Sequence, residues 1–345
     1  MDIFLEKEIN HVKVIDDKKR YWFIRTYGGE AFDSYIDGGY VGIGVNNVPY
    51  KGLIDSAKFN DPSYEILQNY IEKYTHYKKA EATKLTNQFI SFNTEISKGD
   101  TVIIPSKSST NLAIGTIESD VYLVNDTKTI KVKNKDEPLP EKRRKVKWEK
   151  VIRKDKLQGD LRGMLASHYG IINADAYSDT IESFLESVFI KDEHIYLVIQ
   201  INQDEEINAF DLHRFLDGIT FFYQEFCKDE GIEPNEELTI KIKLQSEGKT
   251  ILKALVYVGI IGLLGLITLC NNNEIESTIG GVKIKGKSEG FLKTYEDFLE
   301  RDQKRKEQLI LFNDSLQKLK ANNKPIEGEP LKDNTSNQTK ENGEK

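Results

Sequence analysis

The sequence predicts an α+β protein assembled from unlike segments, and three observations carry that reading. Short aromatic and β-branched runs separated by glycine turns fill the first half. Strand and helix periods then alternate. Finally, an uncharged apolar run precedes a long amphipathic stretch. The expected divisions are a β-domain over 1–172, a small α/β domain over 173–249, an apolar helix over 250–271, a C-terminal strand and helix over 272–320, and a disordered tail over 321–345.

In the first division, Tyr21 to Arg25 reads as a strand ended by Gly28-Gly29, and Tyr40 to Val45 reads as a second. Thr101 to Pro105 follows a Gly99-Asp100 turn, and Leu112 to Ile117 completes the set. Between them, Ser63 to Ile90 is helical in pattern, with Tyr64, Leu67, Tyr70 and Ile71 recurring at spacings of three and four. Next come a helix at Asp179 to Val188 and a strand at His194 to Asn202. An amphipathic helix at Ala209 to Lys228 carries Leu212, Phe215, Leu216, Ile219 and Phe222 on one side. Leu238 to Leu244 alternates apolar with polar residues, as a strand with one buried face does. A strand–helix–strand unit of this length fits a parallel crossover.

Ala254 to Cys270 carries no charge. As a helix of about 1.5 Å per residue it reaches about 25 Å, the short end of a bilayer span. A membrane span or hairpin and a deeply buried helix both fit; the expectation taken forward is a helix that holds the protein at a bilayer. Gly281 to Gly286 reads as a short strand. Glu289 to Leu319 reads as a helix with Leu309, Phe312, Leu316 and Leu319 on one face. The tail has almost nothing to bury.

Composition bounds the chemistry. The net charge of −7 over 345 residues argues against non-specific nucleic-acid binding by the whole chain, though not against a local basic surface. Only Cys227 and Cys270 are present, which fits a reducing compartment and excludes a disulfide framework or multi-cysteine metal site. The histidines His11, His76, His168, His194 and His213 are scattered without ligand-like spacing, so neither metal nor cofactor is expected. Met1 to Arg20 is crowded with charge, so no secretory leader is expected. The large N-terminal part is placed in the cytoplasm, with anchoring at the inner membrane through 254–270.

Three blocks carry a family resemblance: "YWFIRTYGGEAFDSYIDGGYVGIGVN", "ISKGDTVIIPSKSSTNLAIGTIESDVY" and "KRRKVKWEKVIRKDKLQGDLRGMLAS". In that order and spacing, residues 20–170 resemble the PUA/EVE-like N-terminal domain of a family of predicted bacterial restriction endonucleases. Relatives often carry a tryptophan where this chain has Val45. The resemblance implies a small β-barrel whose rim holds a base or modified base, in a restriction or antiviral setting. An extruded base needs a flat aromatic wall and edge-directed polar groups, with cations for the backbone. The aromatic candidates are Trp22, Tyr27, Phe32, Tyr35, Tyr40 and Trp148; the cationic ones are Arg25, Lys107, Arg143, Arg144, Lys145 and Lys147. Aromatics on strands are core residues more often than cage residues, and Lys142 to Lys147 is equally a solvated hairpin.

A nuclease needs carboxylates and a lysine converging on a divalent metal. No such spacing appears on the strands after residue 178, and neither a nucleophile elbow nor a phosphate-binding loop is present. The expected function is therefore a non-enzymatic sensor or accessory protein. It would recognise nucleic acid or a nucleotide through its first domain and act on an effector protein or the membrane. Two alternatives remain: a DNA endonuclease subunit with an unrecognised metal site, and a structural interaction protein. The purified chain is expected to leave plain and modified duplex DNA uncut in Mg²⁺ or Mn²⁺. Cleavage abolished by a single substitution in this chain would establish the nuclease alternative instead.

Overall fold

The computed structural model describes residues 12–125, 128–154, 161–167, 170–202, 206–229, 238–242, 248–255, 276–279, 282–285, 298, 300, 302–323 and 328. Its first strand, β1 (Lys13–Val14), pairs in parallel with Phe189–Ile190, far along the chain. The chain divides into two units, one within Lys19–Ser178 with Gly328, the other formed by residues 12–18 and 179–323.

The first unit contains strands β2 (Tyr21–Ile24), β3 (Tyr40–Ile43), β4 (Thr101–Pro105), β5 (Asn111–Ile117), β6 (Tyr122–Leu123), β7 (Thr129–Val132), β8 (Lys135–Pro138), β9 (Lys142–Arg153) and β10 (Ile171–Asn173). Its helices are α1 (Phe32–Gly38), α2 (Pro62–Tyr74), α3 (Lys79–Ile90) and α4 (Leu161–Ala166). The main sheet runs β10-β2-β4-β5-β9-β3, with β6 also on β9, and curls into a half-barrel. β2 and β4 are parallel and central, and their apolar runs are buried throughout. The curl depends on β9. Its first half pairs with β3, Tyr40 opposite Lys145, and its second half pairs with β5, Asn111 opposite Arg153. A register shift between Ile114 and Gly115 leaves Glu149 unpaired and bends the strand. The expected strands and the helical insertion of this half are therefore present, with α2 and α3 separated by a corner at residues 75–78.

The α2 and α3 faces that bury Leu67, Ile71, Ala82, Phe89 and Ile90 pack on the same core as Trp22, Tyr35, Tyr40, Val102 and Ile104. Trp22 donates from its indole to Asp100 at 2.9 Å. The same carboxylate accepts the Arg20 and Ser97 amides, so this buried acid is fully used at the Gly99-Asp100 turn.

The second unit adds α5 (Ser178–Leu185), β11 (Val188–Lys191), β12 (His194–Ile201), α6 (Ala209–Asp229), β13 (Thr239–Ile242), β14 (Gly248–Leu255), β15 (Glu276–Ile279), β16 (Val282–Lys285), α7 (Gln303–Lys318) and β17 (Ala321–Asn322). Its sheet runs β1-β11-β12-β14-β13, with β17 pairing the end of β12. β12 and β13 run parallel with β14 between them, so the expected crossover through α6 skips one strand. Helices α6 and α7 cover one face, where Phe215, Ile219, Phe222, Phe312 and Leu316 meet Ile195, Leu197, Ile199 and Leu252. On the opposite face Phe189 stacks on Tyr196 at 4.6 Å, beside Val198 and Ile251.

Two expectations are corrected. Residues 250–255 are not the start of an apolar helix: they lie on β14, with Ala254 opposite Ile195 and Leu255 opposite His194. Ile251 is buried on one face of the sheet and Leu252 on the other. A strand covered on both faces reads as an unbroken apolar run, which hydropathy cannot tell from a helix. Among the described residues no helix is long and apolar enough to cross a membrane, and residues 256–270 lie outside them. Secondly, ordered chain extends into the expected tail. Ala321 and Asn322 pair with Ile201 and Gln200, and the buried Asn323 amide donates to the Val198 carbonyl at 2.8 Å. Within the expected C-terminal helix, extended Asp302 caps the Lys304 amide and starts α7; Phe298 and Glu300 are helical, and residues 289–297 lie outside the described residues.

One residue sets how closely α6 and α7 approach. A methyl at Gly218 would fall 2.2 Å from Phe312 Cδ2 and 3.0 Å from its Cβ. By helix propensity alone, Gly218→Ala would stabilise by roughly 1 kcal/mol. The contact reverses the sign. We expect Gly218→Ala to destabilise by about 1–3 kcal/mol through overpacking, measured by denaturant unfolding. A variant as stable as the parent would mean the helices can separate without cost.

Candidate functional site

Several turns of the half-barrel unit are held in backbone that side chains disfavour, and contacts through Tyr27 and Glu30 link them. Tyr27 sits at φ 53°, Val45 at 63°, Ser108 at 56° and Ser109 at 53°. A β-branched residue in the left-handed region is a genuine outlier, and such residues persist only where their surroundings over-determine them. The surroundings are identifiable here. Glu30 pairs with Lys107 at 2.8 Å, joining the turn after β2 to the turn after β4. Tyr27 presses its hydroxyl against Gly44, where a methyl would fall 2.0 Å from the oxygen. The Asn46 amide donates to the Leu139 carbonyl at 2.9 Å, and its oxygen accepts the Glu141 amide at 3.1 Å.

Beneath Val45 lies Lys142, the first residue of β9. It is 2% exposed, donates to the Val45 carbonyl at 3.2 Å and lies 5.8 Å from the centre of the Phe89 ring. Burial pushes its ammonium down to about 8, against a weaker opposing pull from Glu141. Burial also pushes the Tyr27 phenol well up, with further contributions from Tyr77, Glu137 and Tyr40. Tyr77, half-buried at the α2–α3 corner, is raised by burial and by Glu81 and Glu137. Glu137 thus acts on both phenols, and Tyr27 lies against the Gly44–Asn46 turn that covers Lys142.

The structure distributes the residues singled out from sequence among several environments. Trp22 and Tyr40 are core residues, 2% and 4% exposed. Phe32 and Tyr35 are buried as well, and Tyr35 donates to the Gly42 carbonyl. Trp148 is half-buried and donates to the Tyr35 carbonyl at 2.9 Å. Arg25 donates to the Leu165 and Ser167 carbonyls, closing the C-terminal end of α4. Arg143 lies 4.0 Å from the centre of the Tyr40 ring and donates to the Pro140 carbonyl. Arg144 donates to the carbonyls of Phe92, Asn93 and Ser119, so its guanidinium is spent on the protein's own backbone. Lys145 and Lys147 are exposed on the same strand, and Lys107 is exposed at its ion pair. Only Tyr27 and Lys107 of these residues reach the linked turns.

Lys142, Val45, Tyr77 and Glu137 complete the site and were not legible as functional. For Lys142 the available signal was its place just after Pro138-Leu139-Pro140. For Tyr77 it was the alternation of lysines with aromatics from Lys73 to Lys79.

A lysine more acidic in the folded chain than its ordinary 10.5 gives a definite pH dependence. Between about pH 8 and 10 the unfolded chain binds more protons than the folded one at this position, so stability rises with pH. Above pH 10 the raised Tyr27 and Tyr35 act in the opposite sense. Lys142→Met is expected to be more stable than the parent at pH 7, with the difference shrinking toward pH 10 in chemical denaturation. A pH-independent difference would show that Lys142 stays charged in the folded state. Residues 26–169 match the family model described as a domain of unknown function (DUF8426). No curated protein and no solved structure matches the chain, so the likeness to that family, over the half-barrel unit, is what the comparisons establish.

Proposed function

We propose that the half-barrel unit is a PUA-like reader of a nucleobase, plain or modified, carried by nucleic acid or by a nucleotide. On this reading the chain is a non-enzymatic sensor or accessory protein of a bacterial restriction or antiviral system, and its second unit passes the signal to an effector. The observation that carries the proposal is the set of strained turns linked through Tyr27, with a buried lysine beneath one of them. Backbone strain of about 1–3 kcal/mol per residue is retained where geometry serves a ligand. Tyr27 and Tyr77 supply ring faces for an unstacked base. The turn from Gly44 to Asn46 supplies backbone edges, and Lys142 holds that turn from below.

The phosphate grip falls to Lys145 and Lys147. Strand alternation puts both on one face of β9, exposed, while Arg144 and Val146 point into the core. Lys145→Glu/Lys147→Glu is expected to weaken binding of fluorescein-labelled DNA and to flatten its salt dependence by about 2 units of log–log slope, without lowering the melting temperature. Arg144→Met should behave in the opposite way, losing stability because three carbonyls lose their donor. Anisotropy titrations against plain and modified duplexes, run beside thermal melts, separate the two. Parent-like affinity and salt slope in the charge-reversed chain would rule this reading out.

A further inference from the structure

The corner between α2 and α3 carries a surface of which the site above uses only Tyr77. Helix α2 buries Leu67 and Ile71 and turns Ile66 and Tyr74 outward, 62% and 56% exposed. The Tyr70 and Tyr74 rings lie 4.6 Å apart, and Lys73 Nζ lies 5.1 Å from the centre of the Tyr74 ring. Past the helix end, the exposed His76 ring sits 4.3 Å from Tyr77, tilted by 32°. Lys78 and Lys79 follow, both exposed. Within Lys73–Lys79 there are three lysines and no acid, although the chain as a whole carries −7. None of the three lysines is held by a carboxylate among the described residues. Of the nearby acids, Glu81 accepts the Lys78 amide and Glu72 accepts the Gln68 side chain, while Glu137 acts on Tyr77.

A buried helix contact would not need these cations, and a purely ionic contact would not need stacked, outward rings. Single-stranded nucleic acid uses both, because its bases have free faces and its phosphates are charged. Duplex DNA hides the base faces. We propose that the Tyr70–Lys79 corner is a second contact surface that holds unpaired nucleotides, with bases stacked on Tyr74 and His76 and phosphates met by Lys73, Lys78 and Lys79. The assignment goes beyond base reading by the half-barrel and does not require it.

The test is anisotropy of fluorescein-labelled oligothymidylate of about 12 nucleotides, titrated with the full chain at about 50 and about 200 mM salt. Tyr74→Ala is expected to weaken binding about 10-fold, the loss of roughly one stacked base. Tyr74→Phe keeps the ring face and should bind like the parent. Lys78→Glu/Lys79→Glu should lower affinity and flatten the salt slope. Both positions are solvent-facing, so melting temperatures should not move. Oligothymidylate binding lost in Tyr74→Ala but kept in Lys145→Glu/Lys147→Glu supports the corner even if base reading by the half-barrel fails. No binding by the parent chain, or parent-like binding by Tyr74→Ala, overturns it. A change in sedimentation of Tyr74→Ala without a change in oligothymidylate affinity also overturns it, and would mark the corner as a protein interface.

Discussion

The half-barrel unit depends on how strand β9 resolves a conflict between charge and burial. Its opening residues Lys142, Arg143 and Arg144 are cationic, yet all three are buried. Charged groups taken out of water must find partners or lose their charge. The strand does both. Arg144 ties down the chain leaving α3 and the loop after β5 through the Phe92, Asn93 and Ser119 carbonyls. Arg143 closes on Pro140 and the Tyr40 face. Lys142, with one carbonyl partner and an aromatic ring, is pushed toward neutrality. Because β9 also pairs with β3 and β6 at one end and β5 at the other, fixing its start fixes the curl of the sheet.

The loops follow from that anchoring. Val45 takes a left-handed backbone that a β-branched residue avoids, and its carbonyl is the acceptor that Lys142 uses. Asn46 bridges to Leu139 and Glu141, on the segment leading into β9. The turn after β3 is thus held from beneath and from the side, and Tyr27 leans on it at Gly44.

The second unit solves a similar problem with different chemistry. Arg305, 4% exposed, bridges Glu225 at 2.8 Å and Asp229 at 2.6 Å, and donates to the Phe298 carbonyl. It joins α7 to α6 at one end, while Gly218 lets Phe312 lie against α6 further along. A buried ion pair of this kind adds little net stability over an apolar substitute, but losing one partner costs about 3–5 kcal/mol. It therefore acts mainly to fix the register of the two helices over the sheet.

The sequence by itself determined the elements whose pattern is local. Tyr21 to Ile24, Thr101 to Pro105 and Asn111 to Ile117 are apolar runs between turn residues. Leu212 to Phe222 and Phe312 to Leu319 repeat at helical spacing. Those patterns arise within a few residues, where backbone sterics and one buried face decide the outcome. The rest depends on contacts between distant parts of the chain. Ile251 and Leu252 belong to a strand because sheet and helices cover both of its faces, a fact of distant chain segments. Arg144 turned inward to carbonyls on distant segments, while Arg143 turned to the Tyr40 ring and the nearby Pro140 carbonyl. The candidate site itself combines Tyr27, Val45, Tyr77, Glu137 and Lys142, residues from five separate segments. No spacing rule links them, because contacts between distant segments, rather than any local period, bring Tyr27 to Gly44 and Lys142 to Val45.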